Sequence, residues 1–274
     1  MSEVRQIRAL YLDLMKRVLT NWIYGESEKQ VVDLPAALSD ELRTTALAYG
    51  AQIVLPRPFD ERRRAEGQDW PPDAHTMIGL KRLDNLQFCV EEVLTRDVPG
   101  DLIETGAWRG GATIFMRAVL KAYGVRDRCV FVADSFEGLP PPDSVKYPLD
   151  ANSPPFHQFK QLAVPLERVK ANFERYGLLD EQVKFLRGWF RDTLPAAPIE
   201  RLAIVRLDGD MYESTIDGLE NLYPKLSVGG FLIVDDYGVV AACREAVHDY
   251  RGAHGITEEI IQIDGAGVYW RRSS

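Results

Sequence analysis

Cysteine and histidine are scarce in this chain, with three and four among 274 residues. Cys89, Cys129 and Cys243 stand far apart, each inside an apolar helix or strand pattern. An odd, scattered set excludes a disulfide frame and a zinc site, and it points to reduced, buried thiols in a cytoplasmic protein. A basic block is also missing: 33 Lys and Arg against 41 Asp and Glu leave a formal net charge of −8. Nucleic acid and anionic membrane are therefore not expected as partners. The opening stretch MSEVRQIRALYLDLMKRVLTNW is broken by charge throughout, so it reads as neither a signal peptide nor a membrane span. There is no internal repeat and no low-complexity tract.

What is present from residue 101 onward is an alternation of strands and helices. The runs DLIE (101–104), CVFVAD (129–134), VKFLRG (183–188), LAIVRLD (202–208) and GGFLIVDD (229–236) are nearly continuous in apolar residues. Such runs fit strands covered on both faces by helices. Helices are expected near 112–123, 165–176, 214–226 and 239–252. EEIIQID and GVYWRR, joined through Gly265 and Gly267, read as a closing hairpin. The expected fold is a doubly wound, seven-stranded, mostly parallel α/β sheet with a terminal antiparallel hairpin, its ligands beyond the carboxyl ends of the strands. The length suits one α/β domain, residues 98–274, with a helical extension and loop over residues 1–97.

In that extension, residues 4–24 carry Ile7, Leu10, Leu14 and Val18 at helical spacing, widened by Leu12, Met15, Leu19 and Ile23. So wide a face can dock on the chain's own domain or on a partner subunit, making a homo-oligomer. A second helix is expected over 39–50, with Ser39 as its N-cap and Leu42 within it. Residues 56–74, PRPFDERRRAEGQDWPPDA, lack periodicity and read as a long loop. A third helix is expected from Thr76 to about Asp97.

DLIETGAWRGG (101–111) is a strand, a glycine turn and a helix start, the unit on which open α/β sheets hold nucleotide-like cofactors. A dinucleotide fingerprint needs a bare second glycine, and Trp108 occupies that slot with its indole. Glu104 adds a negative charge beside it. A polyphosphate is thus disfavoured, and S-adenosylmethionine (SAM), cationic and without phosphate, fits better. Asp134, closing the next strand, is expected to accept both ribose hydroxyl protons. The expected sheet with its terminal hairpin is also the Rossmann-like plan of class I SAM-dependent methyltransferases.

LAIVRLDGDMYEST ends its strand with Asp208 and adds Asp210; GGFLIVDDYG ends the following one with Asp235 and Asp236. Neighbouring strand ends lie roughly 5 Å apart, so these carboxylates would converge. They repel one another unless a cation is bound or protons are shared. Oxygen donors without His or Cys point to a hard ion, Mg²⁺ ahead of Mn²⁺ or Ca²⁺. The plainer reading is that Asp236 only caps the next helix.

DLIETGAWRGG, ADSFEGLPPPD, RGWFRDTLP, RLDGDMYEST and LIVDDYG together resemble the macrocin O-methyltransferase family, whose enzymes methylate sugar hydroxyls of macrolide, aminocoumarin and related antibiotics with SAM and Mg²⁺. The resemblance implies Asp208, Asp235 and Asp236 as metal ligands and Asp210 as general base. It implies a SAM pocket in which Glu104 meets the amino group, Thr105, Gly106, Ala107, Trp108 and Asp208 surround the donor, Asp134 holds the ribose, and Ser135, Phe136, Gly188, Trp189 and Phe190 wall the adenine. Thr76 and Met77 would reach the methionine end. The acceptor, a small-molecule glycoside, would lie against residues 56–74 and 138–159, with Arg82 and His157 as candidate contacts. The catechol-type methyltransferases share a similar metal triad, but place a lysine where this chain has Met211. A nicotinamide-dependent reductase lacks its bare glycine here and any Tyr-x-x-x-Lys pair. A non-catalytic SAM-binding scaffold would gain nothing from four mutually repelling acids.

Overall fold

The architecture is taken from a computed structural model, which describes residues 3–32 and 39–274. The chain opens with α1 (Glu3–Leu19), β1 (Lys29–Val32), α2 (Asp40–Ala48), β2 (Ile53–Pro56), α3 (Glu61–Ala65) and α4 (Gly79–Thr95). Then follow β3 (Asp101–Thr105), α5 (Gly111–Ala122), β4 (Val130–Asp134), α6 (Leu166–Arg175), β5 (Val183–Arg187) and the short α7 (Phe190–Thr193). The last third holds β6 (Leu202–Leu207), α8 (Tyr212–Leu222), β7 (Leu226–Val234), α9 (Ala241–His254), β8 (Ile261–Gln262) and β9 (Val268–Arg271).

Seven strands form one sheet in the order β5-β4-β3-β6-β7-β9-β8, parallel except for β9, which runs antiparallel to β7 and β8. From β3 the chain winds outward through β4 and β5, then returns to start the other half with β6 beside β3. That reversal between β3 and β6 is where an open α/β sheet offers a crevice. The glycine turn after β3 and the acids after β6 and β7 all lie at its mouth.

The two-residue period of the strands divides the core into two layers. Leu102, Val130, Val132, Ile204, Phe231 and Ile233 face α1, α4, α5 and α6. Ile103, Phe131, Ala133, Val205, Leu207, Leu232 and Val234 face α8 and α9. The buried Leu12, Met15 and Leu19 of α1 belong to the first layer, so α1 packs on the same core as the sheet.

Several boundaries differ from those read in the sequence. Ser39 does cap α2, accepting from Leu42 N at 3.4 Å. β1 and β2 pair as a small separate antiparallel sheet that the local pattern does not announce. The expected loop 56–74 contains α3, capped by Asp60, whose side chain accepts from Arg63 N at 3.0 Å. Arg64 explains why that segment is ordered. It is 2 % exposed and donates to Thr20 O at 2.8 Å, to Glu28 Oε2 at 2.7 Å and to Asp69 Oδ2 at 2.9 Å, tying the segment to the end of α1. The third helix starts at Gly79, so Thr76 and Met77 precede it instead of opening it.

Candidate active site

Gly106 has φ +86°, and a Cβ there would stand 1.6 Å from the carbonyl oxygen of Asp208. Glycine is required because the end of β6 crosses the turn, the two chains being linked by Asp208 N donating to Thr105 O at 2.9 Å. The turn is held from the other side by Asp134. Its Oδ2 accepts from Ala107 N at 2.8 Å and Trp108 N at 3.2 Å, and its Oδ1 from Phe136 N at 2.7 Å. This carboxylate therefore organises the cofactor turn first. Oδ2 takes two of these bonds, and Oδ1 accepts a second, longer one from Ser135 Oγ at 3.4 Å.

A cavity of about 460 Å³ is lined by Thr76, Met77, Glu104, Gly106, Ala107, Trp108, Asp134, Asp208, Asp210, Asp235 and Asp236. It continues into a narrower one walled by Ser135, Gly188, Trp189, Phe190 and Glu213, the two sharing Gly106, Asp134, Asp208 and Asp210. Two expected cofactor residues are not on these walls. Phe136 turns its ring into the core, 6.4 Å from that of Phe185, and Thr105 is buried with its hydroxyl unpartnered. Both sit beside the site without facing it. Trp108 is fixed by its indole N–H, which donates to Gln161 O at 2.9 Å, and by the Arg109 guanidinium 4.2 Å over its ring.

Asp208, Asp235 and Asp236 each offer an oxygen within 4.8 Å of the other two. Adjacency of β6 and β7, with Leu207 opposite Val234, brings them together as expected. Asp236 does not serve as the cap of α9, whose N-cap is Val240; its Oδ2 accepts from Asp210 N at 3.0 Å instead. That bond holds Asp210 in a left-handed conformation, φ 59°, beside the triad. Burial raises the carboxyl of Asp208 to about 6 and that of Asp210 to about 8, with neighbouring acids adding to both shifts. Asp236 is pushed well up by burial and then by Asp210.

The expectation that only a bound cation or shared protons could relieve this cluster is incomplete. Register places Arg206 opposite Glu104 on the first core layer, and the guanidinium binds Glu104, Asp208 and Asp235. An arginine within the apolar run LAIVRLD was the available signal, since a buried charge needs partners. Arg82, expected at the acceptor, is likewise turned inward. It is 7 % exposed and pairs with Asp235 and, at 3.0 Å, with Asp264. Two guanidiniums thus face six carboxyls, and the site keeps an excess of acid. Glu104 carries a further mark: Oε1 meets Arg206, while Oε2 is buried without a partner. Burial raises its carboxyl to about 8.

The two expected acceptor segments meet over the cavity. Trp70 packs edge-on to Phe159 with centroids 5.8 Å apart, and Trp70, Pro154, Phe156 and Leu162 line the opening. Asp150 anchors the second segment by accepting from Tyr212 N at 2.7 Å and Glu213 N at 3.1 Å, at the start of α8. His157 is exposed and lies 3.4 Å from the side-chain amide of its neighbour Gln158. Met211 is buried at the position where a catechol-type lysine would stand.

A family model for Macrocin-O-methyltransferase (TylF) matches residues 8–272. The chain is 56% identical over 267 residues to an 8-demethyl-8-(2,3-dimethoxy-alpha-L-rhamnosyl)-tetracenomycin-C 4'-O-methyltransferase of Streptomyces olivaceus, covering 97% of this chain and 94% of that one. It is 52% identical over 268 residues to a mycinamicin III 3''-O-methyltransferase of Micromonospora griseorubida, covering 97% of each. The solved structure of the O-methyltransferase NovP superposes with a TM-score of 0.85 at 49% identity, over 97% of this chain and 100% of that one. With its glycine turn, its acid triad and this likeness from end to end, the chain belongs to the macrocin O-methyltransferase family and is an O-methyltransferase with the SAM-binding fold of that class.

Proposed function

We propose that this enzyme transfers the methyl group of SAM to a sugar hydroxyl of a glycosylated natural product, with Mg²⁺ held by Asp208, Asp235 and Asp236. The observation that carries this reading is the oxygen-only triad within 4.8 Å, set beside Asp210 and the cavity under the cofactor turn. When bound, SAM supplies an activated methyl group and Mg²⁺ supplies Lewis acidity toward the acceptor hydroxyls. The unpartnered Glu104 Oε2 suits the cationic amino group of the donor. Asp134 can accept from a ribose hydroxyl at Oδ1 in place of the long bond from Ser135 Oγ, and Trp189 and Phe190 flank the narrow end where adenine fits. Asp210 takes the acceptor proton; a sugar hydroxyl, with a pKa near that of water at about 15.7, needs such a base. Trp70 and Phe156 provide apolar wall for an aglycone and keep water from the reacting oxygen. The relatives' own activities on glycosylated antibiotics support the same class of acceptor. The buried Met211 tells against the catechol alternative.

The test is a turnover assay of SAM with a panel of glycosylated macrolides, aminocoumarins and enediynes, products read by mass and NMR. Activity should disappear in EDTA and return with Mg²⁺, and Mg²⁺ should raise the melting temperature of the wild type but not of Asp236→Asn. Turnover indifferent to EDTA would remove the metal from this account.

We also place the protein in the cytoplasm as a homo-oligomer. The free Cys89, Cys129 and Cys243 support a reducing compartment. No helix among the described residues is long and apolar enough to cross a membrane. The docked side of α1 is Leu12, Met15 and Leu19, leaving Val4, Ile7, Leu10 and Leu14 each more than half exposed. Such a stripe suits a second copy of the chain. Light scattering should report a dimer or larger assembly that Ile7→Glu with Leu14→Glu reduces to monomers; a wild-type monomer at micromolar concentration would refute it.

A further inference from the structure

A second large cavity, also about 460 Å³, lies outside the site described above, behind the wall formed by Trp108 and Gln161. It is lined by Arg109, Arg168 and Arg175, together with His75, Asn172 and Asp73. In a chain of net charge −8 this is an unusual concentration of unneutralised cations. Four of the buried arginines elsewhere, Arg64, Arg82, Arg117 and Arg206, pair with carboxylates, whereas here Arg109 is half-buried and Arg168 and Arg175 are exposed. None of these three forms an ion pair among the described residues. Arg109 donates to the carbonyls of Pro72 and Ala74, both at 2.7 Å, and Arg175 to Asn172 Oδ1 at 3.0 Å.

We propose that this cavity binds a diphosphate group, as carried by a small phosphorylated metabolite. The charge balance selects a dianion: three guanidiniums against the single carboxylate of Asp73 leave an excess of two positive charges. Geometry selects its length. Arg168 and Arg175 lie two turns apart on the same side of α6, about 10 Å along the axis, a spread of positive charge that two linked phosphate groups can span. Guanidinium forks match phosphate oxygens in pairs, and Arg168 near the first turn of α6 adds the positive end of that helix. His75 sits on the same cavity wall as these guanidiniums. Burial first, then Arg109, Arg175 and Arg168, lower its imidazole to about 4, so that it stays neutral and bonds Tyr176 Oη at 2.7 Å.

The test is isothermal titration with inorganic pyrophosphate, using the full chain in EDTA at low salt so that no metal carries the anion to the acid cluster. Binding at one site per chain with a dissociation constant of about 1 mM or tighter is expected. Arg168→Ala with Arg175→Ala should weaken it at least tenfold, while SAM affinity and melting temperature hold, because both side chains are exposed and neither lines the cofactor cavity. Uridine diphosphate, chosen because it lacks adenine, separates sources: equal or tighter binding points to an ester, and weaker binding to the free anion. Absence of saturation, the same affinity in the double variant, or citrate binding as tightly as pyrophosphate would overturn the assignment.

Discussion

Asp210→Asn should lower kcat by about 10²- to 10⁴-fold while leaving SAM affinity nearly unchanged. The substitution keeps shape and removes only the capacity to take a proton. Asparagine also tolerates the left-handed backbone that residue 210 adopts, φ 59°, where alanine would add strain and blur the result. The backbone N–H of residue 210 still reaches Asp236, so the turn around the triad persists. Asp210 earns the role through burial, which with Asp208 and Asp235 raises its carboxyl to about 8 and makes it a stronger base than an exposed carboxylate. The measurement is kcat against KM in steady state, with SAM binding followed by calorimetry. A variant with normal kcat would place the base on another residue.

Arg206→Met should destabilise the fold by about 3–5 kcal/mol, a large part of the roughly 5–15 kcal/mol that holds a domain together. The side chain is 1 % exposed and is shared by Glu104, Asp208 and Asp235. Removing it strands the buried Glu104, takes the guanidinium from the half-buried Asp208 and leaves Asp235 with Arg82 alone. Lysine is a poor substitute, because one compact ammonium cannot reproduce a fork that meets three carboxylates from two nitrogens. If the cost is that of stranded charge, Glu104→Met in the same chain should return part of it, since an apolar pair replaces an uncompensated acid. Urea unfolding of the two single variants and the double variant measures this. Additive losses would mean that Arg206 and Glu104 stabilise the chain independently.

The site was legible where chemistry falls on strand ends. Parallel strands alternating with helices put their carboxyl ends on one edge, so the sequence alone groups Asp208, Asp210, Asp235 and Asp236. The same logic found Glu104, Gly106 and Asp134. Less visible was the division of labour among them. Asp134 spends most of its oxygens on backbone N–H groups of the turn, and Gly106 is glycine because Asp208 O passes where a side chain would be. Arg82 looked available for the acceptor because its partner Asp264 is 182 residues away.

Local pattern determined the order of the sheet strands and main helices from residue 101 onward, the family and the identity of the acids, because these follow from side-chain period and from residues close in sequence. Tertiary structure alone decided which face of α1 is covered, that Thr76 and Met77 lie on the cavity wall ahead of α4, and that two arginines share the acid cluster. Those outcomes depend on register and on contacts between distant segments. A burial pattern can say that a charge is enclosed, but only packing chooses the partner that neutralises it.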